Sequence, residues 1–183
     1  HPSLSYAKTQ LRSAYLSAGR FADVAKMLDS DLPQARIAYA NNPVLLASAL
    51  NAIAFDYVGI GKPETAIPLL RECLLIRFAQ IPDDWRTFNT RSVLGQALLD
   101  RWRRDLDVEI SASQALENEI SQRLVAGYDG LKHRAKFIPG AARKRYLVSA
   151  IDRLEECAKF QDDPTAVQFW RTERGRINGG LSD

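Results

Sequence analysis

Apolar residues recur along this chain at three- and four-residue intervals, in stretches separated by proline and glycine. That period belongs to helices with one buried stripe. Leu4, Ala7, Leu11, Ala14 and Tyr15 share the first stripe, and Gly19 ends it as a left-handed helix-terminal glycine would. Val24, Ala25 and Leu28 carry the next, over residues 21–40. Pro33 lies inside it and predicts a break or kink, because it lacks a backbone donor and crowds the preceding turn. Asn42-Pro43 restarts the pattern as an N-cap followed by a first-turn proline. Leu46, Leu50, Ile53, Ala54 and Tyr57 follow, and Gly59 and Gly61 close the stretch.

The partner helix runs from Pro63 to about residue 78, with Ala66, Leu69, Leu70, Cys73, Leu74 and Arg77 on its stripe. After Ile81-Pro82, Asp84 caps a helix carrying Trp85, Phe88, Leu94, Gly95 and Leu98. Residues 101–119 contain neither Gly nor Pro and predict one long helix reaching about residue 136. Ile138-Pro139-Gly140 breaks it, a helix spans about 141–160, and a last one starts at Pro164. Residues 175–183, with Gly179-Gly180, read as a flexible tail. No segment alternates as a strand does. The chain is expected to be all-α, with seven or eight helices in antiparallel pairs.

The pairs repeat. Tyr15-x3-Gly19 recurs as Tyr57-x3-Gly61, a spacing of 42 residues with two helical patterns per period. A fixed period of that size is the signature of a helix-pair array, an α-solenoid. The repeats divide as 1–41, 42–80, 81–137 with an insertion, and 138–174. Such arrays bind partners more often than they catalyse.

Composition changes the picture little. A 46% hydrophobic and 26% charged chain of 183 residues is ordinary for a globular domain. No run nears the ~18 apolar residues of a membrane helix. The start, His1-Pro2-Ser3-Leu4, lacks the basic and apolar regions of a signal peptide; without an initial Met, the chain reads as an excised piece of a longer one. Cys73 and Cys157 both fall on apolar stripes and are expected as buried reduced thiols, which suits a cytoplasmic, reducing compartment.

Leu50, Ile53, Ala54, Tyr57, Gly61, Ala66, Leu70 and Cys73 occupy the eight signature positions of the tetratricopeptide motif, which the second repeat resembles throughout. The first matches through Leu11, Tyr15, Gly19, Phe21, Val24 and Leu28, with Arg12 where a small residue is usual. The 42-residue period is similar to the long variant of kinesin light chains and many bacterial regulators. The runs 68–74, 82–90 and 127–132, Leu94-Gly95, and the close from Pro164 to Trp170 resemble tetratricopeptide arrays of planctomycete bacteria. These often follow a Ser/Thr protein kinase, so the resemblance implies a protein-binding scaffold in a bacterial signalling polypeptide. The pattern departs at Trp102, at Ala158 and at Asp162, and about a dozen extra residues lie around 105–116. These departures predict less regular packing in the C-terminal half, while the extra residues themselves are expected to lengthen helices.

Nothing in the chain reads as an active site. His1 and His133 are the only histidines, neither cysteine has one nearby in sequence, and no glycine-rich phosphate loop occurs. The pairs Asp83-Asp84 and Asp162-Asp163 precede helices, where capping explains them. No enzyme activity, cofactor or metal is expected. The clusters Arg101-Trp102-Arg103-Arg104, 132–136 and Arg143-Lys144-Arg145 would suit RNA, but neighbouring acids balance them as solvated helix faces. Nucleic acid is therefore the lesser expectation.

A groove remains. In tetratricopeptide stacks the first helix of each pair lines the concave face. The resemblance places there Tyr6, Thr9 and Ser13, then Ser48, Asn51 and Phe55, then Asn89, Ser92 and Gln96. An Asn amide pairs both ways with an extended peptide, and Phe55 adds an apolar contact. The Lys/Asn set by which chaperone-binding members hold a terminal carboxylate is not reproduced at these positions. The expected partner is thus a protein or peptide of another kind, the alternatives being packing within its own polypeptide or self-association.

Overall fold

A computed structural model of the chain describes the backbone of residues 2–104 and 110–180, and side chains of residues 7–104 and 114–180. The described residues form eight α-helices and no strand. They are α1 (Pro2–Ser17), α2 (Phe21–Ala38), α3 (Pro43–Gly59), α4 (Pro63–Gln80), α5 (Trp85–Trp102), α6 (Ile110–His133), α7 (Gly140–Phe160) and α8 (Pro164–Gly179). A short 3-10 turn, Ala135–Phe137, precedes α7. Each helix packs on the next, most extensively within α3/α4, α5/α6 and α7/α8. Odd-numbered helices also touch their counterparts in the adjacent pairs, α3 on α5 and α5 on α7. The result is an all-α stack of antiparallel pairs.

The turns explain the Tyr-x3-Gly spacing. Gly19 and Gly61 take left-handed conformations, with φ of 67° and 73°. At the second turn Lys62 N–H bonds the Tyr57 carbonyl at 2.8 Å and Gly61 N–H the Val58 carbonyl at 2.9 Å. Arg20 to Tyr15 and Gly19 to Leu16 repeat this pair of bonds at 2.9 and 3.1 Å. The two bonds satisfy carbonyls that a helix end otherwise leaves unpaired. The fourth pair reproduces the turn without glycine: Asp162 has φ 54°, Asp163 N–H bonds Ala158 and Asp162 N–H bonds Lys159. Asp tolerates this region better than most residues. The expected irregularity of the C-terminal half is therefore absent from this turn.

Caps fall where the sequence places them. Asn42 accepts from Leu45 N–H at 3.1 Å, Asp84 from Arg86 N–H at 2.8 Å, and Asp163 from Ala166 N–H at 2.9 Å. Pro43 and Pro164 occupy first-turn positions. The core runs through all four pairs, with Leu28, Leu50, Tyr57, Leu70, Leu94, Leu124, Leu147 and Ile151 fully buried. Each such side chain contributes roughly 1.5–3 kcal/mol.

Three expectations need correction. The break expected at Pro33 is absent, α2 running on through it to Ala38. Pro33 leaves the Asp29 carbonyl without its helical donor, and both residues are exposed, so the loss falls on the solvent side of α2 and not in the core. The long helix over 101–136 is two elements. α5 ends at Trp102, and Arg103-Arg104 turn back so that Arg104 donates to the Gly61 carbonyl at 2.6 Å and Arg103 to that of Glu156 at 3.0 Å. Residues 105–109, part of the extra segment, lie outside the described residues, and the chain is helical from Ile110. Finally, α8 extends over residues placed in the tail, because Ile177 packs into the core at 4% exposure; residues 181–183 lie outside the described residues.

Candidate functional site: a cleft on the first-helix face

The odd-numbered helices converge on a cleft of about 420 Å³. α1 supplies Arg12; α3 supplies Asn51, Ala52, Phe55 and Asp56; α5 supplies Asn89; α7 supplies Arg145, Tyr146, Ser149 and Arg153. No even-numbered helix lines it. In three of the pairs a left-handed residue at the reversal, Gly19, Gly61 or Asp162, joins the first helix to the second, and it is the first helices that face the cleft.

Of the groove residues expected from sequence, the structure brings together Asn51, Phe55 and Asn89. Phe55 is half exposed and offers apolar surface. Thr9 lines a neighbouring cavity of about 370 Å³ between α1, α2 and α3, which shares Arg12 and Ala52 with the cleft. Ser13 is exposed outside both cavities. Ser48 lines neither and spends its hydroxyl on the Val44 carbonyl at 2.9 Å. Ser92 is wholly buried and accepts from Arg153 at 3.1 Å, so it supports the cleft from below. The Gln96 amide turns away, donating to Asp100 at 2.8 Å and Glu156 at 3.2 Å. The side chain of Tyr6 lies outside the described residues.

Sequence reasoning placed neither Arg12, Asp56 nor any residue of α7 in the groove, and read Arg145 only as part of a basic cluster. Arg145, Ser149 and Arg153 recur every four residues, which is the pattern that marks one helix face. Arg12 occupies a position read as a mere tolerated departure. It pairs with Asp56 at 2.9 Å and with Asp31 at 3.6 Å, tying α1 to α3 and α2. Burial raises the Asp56 carboxyl, and the Arg12 charge partly offsets this.

Asn51 is held by a chain of hydrogen bonds from the core. Arg77, 3% exposed, donates to Thr90 Oγ1 and to the Arg86 carbonyl. A guanidinium can only donate. The single Thr90 proton then goes to its nearer acceptor, Asn51 Oδ1 at 2.7 Å, rather than the Arg86 carbonyl at 3.2 Å. Asn51 therefore keeps its oxygen on the core side and its NH2 for the cleft. Cys73 packs beside this network, donating to the Ala47 carbonyl at 3.1 Å, and burial raises its thiol pKa.

Arg153 is the unusual group. Burial lowers its pKa to about 10, against the attraction of Asp152, Glu156 and Asp100. Among the described residues no carboxylate lies within ion-pair distance of it.

The basic clusters are largely spent elsewhere. Lys132 pairs with Glu173 at 2.5 Å, Arg134 with Asp83 at 2.9 Å, and Trp102 packs edge-on against Phe160. Cys73 and Cys157 are buried thiols, and His133 is exposed with Nδ1 at 2.7 Å from the Asp129 carbonyl. Among the described residues no group of His, Cys, Asp or Glu is arranged to hold a metal ion, and no helix is long and apolar enough to cross a membrane. Neither a family model nor a curated protein matches the chain.

Proposed function

We propose that this chain is a peptide-binding scaffold of the tetratricopeptide kind, with its ligand extended along the face formed by α1, α3, α5 and α7. By the same resemblance it serves a bacterial signalling polypeptide. The supporting observation is that the cleft is lined by the first helix of all four pairs and by no second helix. A ligand there touches every pair at once. Asn51 presents its NH2 to a peptide carbonyl, and Phe55 covers an apolar side chain beside it. Intermediate size suits a few residues of extended chain rather than a folded partner.

Selection from a short-peptide display library on the immobilised protein tests this. Phe55→Ala is expected to weaken selected peptides while leaving melting unchanged, since the ring is half exposed. Asn51→Ala is expected to lower affinity about 2- to 13-fold. It also takes from the buried Thr90 hydroxyl its nearer acceptor, leaving the Arg86 carbonyl at 3.2 Å, so a loss of at most about 1 kcal/mol in stability accompanies it. Peptides that bind both variants as tightly as the wild type would move the site off this face.

A further inference from the structure

We infer that the cleft selects a peptide bearing an anionic group, a carboxylate or phosphate that docks on Arg153 and Arg145 beside the Asn51 amide. The inference rests on the groove being a peptide site and adds the chemistry of what enters it.

The cations come first. Arg12, Arg145 and Arg153 line the cleft against one carboxylate, Asp56, and Arg12 already holds that carboxylate at 2.9 Å. Arg145 is exposed, its guanidinium lying over the face of Tyr146 at 5.3 Å from the ring centre, and among the described residues no carboxylate pairs with it. Arg153 donates to the neutral Ser92 hydroxyl and, among the described residues, to no carboxylate.

Every acid near Arg153 is committed elsewhere. Asp152 pairs with Arg174 at 3.0 Å. Glu156 lies 3.6 Å from Arg103 and accepts from Gln96 at 3.2 Å. Asp100 accepts from Gln96 at 2.8 Å and lies 3.7 Å from Arg103. Arg153 is half-buried at the cleft wall, and among the described residues its hydrogen-bond partner in the fold is a neutral hydroxyl, so its remaining donors face the cleft with no counter-charge from the fold.

The neutral groups point the same way. Asn51 offers its NH2 because its oxygen is taken by Thr90. The cleft therefore presents donors and asks for an acceptor. A planar guanidinium suits a carboxylate or phosphate, which it grips through two parallel hydrogen bonds.

The experiment uses peptides selected on the wild-type protein. Those that depend on Phe55 are expected to share an acidic residue. Replacing that residue by Gln is expected to weaken binding at least about tenfold on the wild type and hardly at all on Arg153→Gln. Phosphoserine at the same position, and free against amidated C-termini, separate a side-chain carboxylate from phosphate and from a terminal carboxylate. Arg153→Gln is expected to melt within a few degrees of the wild type, since the fold loses only the hydrogen bond to Ser92. Should it fail to fold, Arg145→Gln carries the same comparison from an exposed position. Phe55-dependent peptides without an acid, or equal losses on wild type and variant, would overturn the anion subsite and leave the groove standing. An absence of Phe55-dependent peptides would overturn both.

Discussion

Gly127→Ala is expected to destabilise the protein by about 3 kcal/mol or more, lowering the melting temperature by roughly 6–12 °C. α6 crosses α5 so closely that a Cβ at Gly127 would lie 2.7 Å from the Ser92 nitrogen and 2.9 Å from its Cα. Those are backbone atoms in the middle of a helix and cannot step aside. Relief requires α5 and α6 to part, and α5 is also packed against α3, α4 and α7. Gly95 and Gly130 line the same seam, where a Cβ would meet Leu124 at 2.7 Å and the Phe88 ring at 1.8 Å. Three glycines in one interface thus serve the close approach that Ala54 and Ala66, both wholly buried, serve between α3 and α4. Gly175→Ala is the control: nothing lies within 4 Å of its Cβ position, and removing a helix-interior glycine is expected to add up to about 1 kcal/mol. Thermal melts of the two variants beside the wild type measure the contrast. A Gly127→Ala protein that melts with the wild type would show that the seam is looser than described.

Much of this architecture was legible because local chemistry and tertiary role coincide. Tyr-x3-Gly encodes the two backbone bonds of a left-handed helix end, so the motif located the reversals directly. The fourth turn was harder to read because Asp162 performs the same backbone task with a side chain that looked like a departure. Pro33 misled for a related reason. Its penalty depends on whether the orphaned carbonyl can reach water, and exposure is a tertiary property. The break after Trp102 has no Gly or Pro to announce it; the arginines that follow donate to carbonyls distant in sequence, on Gly61 and Glu156.

The cleft divides in the same manner. Asn51, Phe55 and Asn89 could be placed by counting along a helix. Ser92 sits on the same helix as Asn89, yet α6 packs on its backbone at Gly127 and Arg153 of α7 bonds its hydroxyl, and no single-helix pattern reports what neighbouring helices bury. Arg153 was invisible as a site residue because its interest lies in what is missing around it, an ion-pair partner. Such an absence shows only when the neighbouring acids are seen to be engaged.

Glu173→Gln is expected to cost about 2 kcal/mol at neutral pH and almost nothing near pH 2. Glu173 stands on α8, 5% exposed, and joins that helix to α6. It accepts from Lys132 Nζ at 2.5 Å and Tyr128 Oη at 2.6 Å, and Arg176 lies 3.3 Å away. The Lys132 hydrogen bond, then that of Tyr128, holds its carboxyl down at about 2, well below the ordinary range. A carboxyl whose pKa is depressed by folding stabilises the fold fully above its unfolded value of about 4.3. That contribution fades as pH falls toward the folded value, because the proton then bound by the unfolded chain must be given up on folding. Lys132 is half exposed, so solvent screens its share and the figure is kept near that of a charged hydrogen bond. The Gln variant retains the shape and an oxygen for Tyr128 but carries no charge to lose. Denaturant unfolding of both proteins at neutral pH, pH 4 and pH 2 gives the difference directly. Glu72, Asp84 and Glu155, also held low by arginine or lysine partners, titrate in both proteins and cancel. A difference that narrows through this window identifies the carboxylate charge as what pins α8 to the stack. A constant difference would assign the effect to packing of the side chain alone.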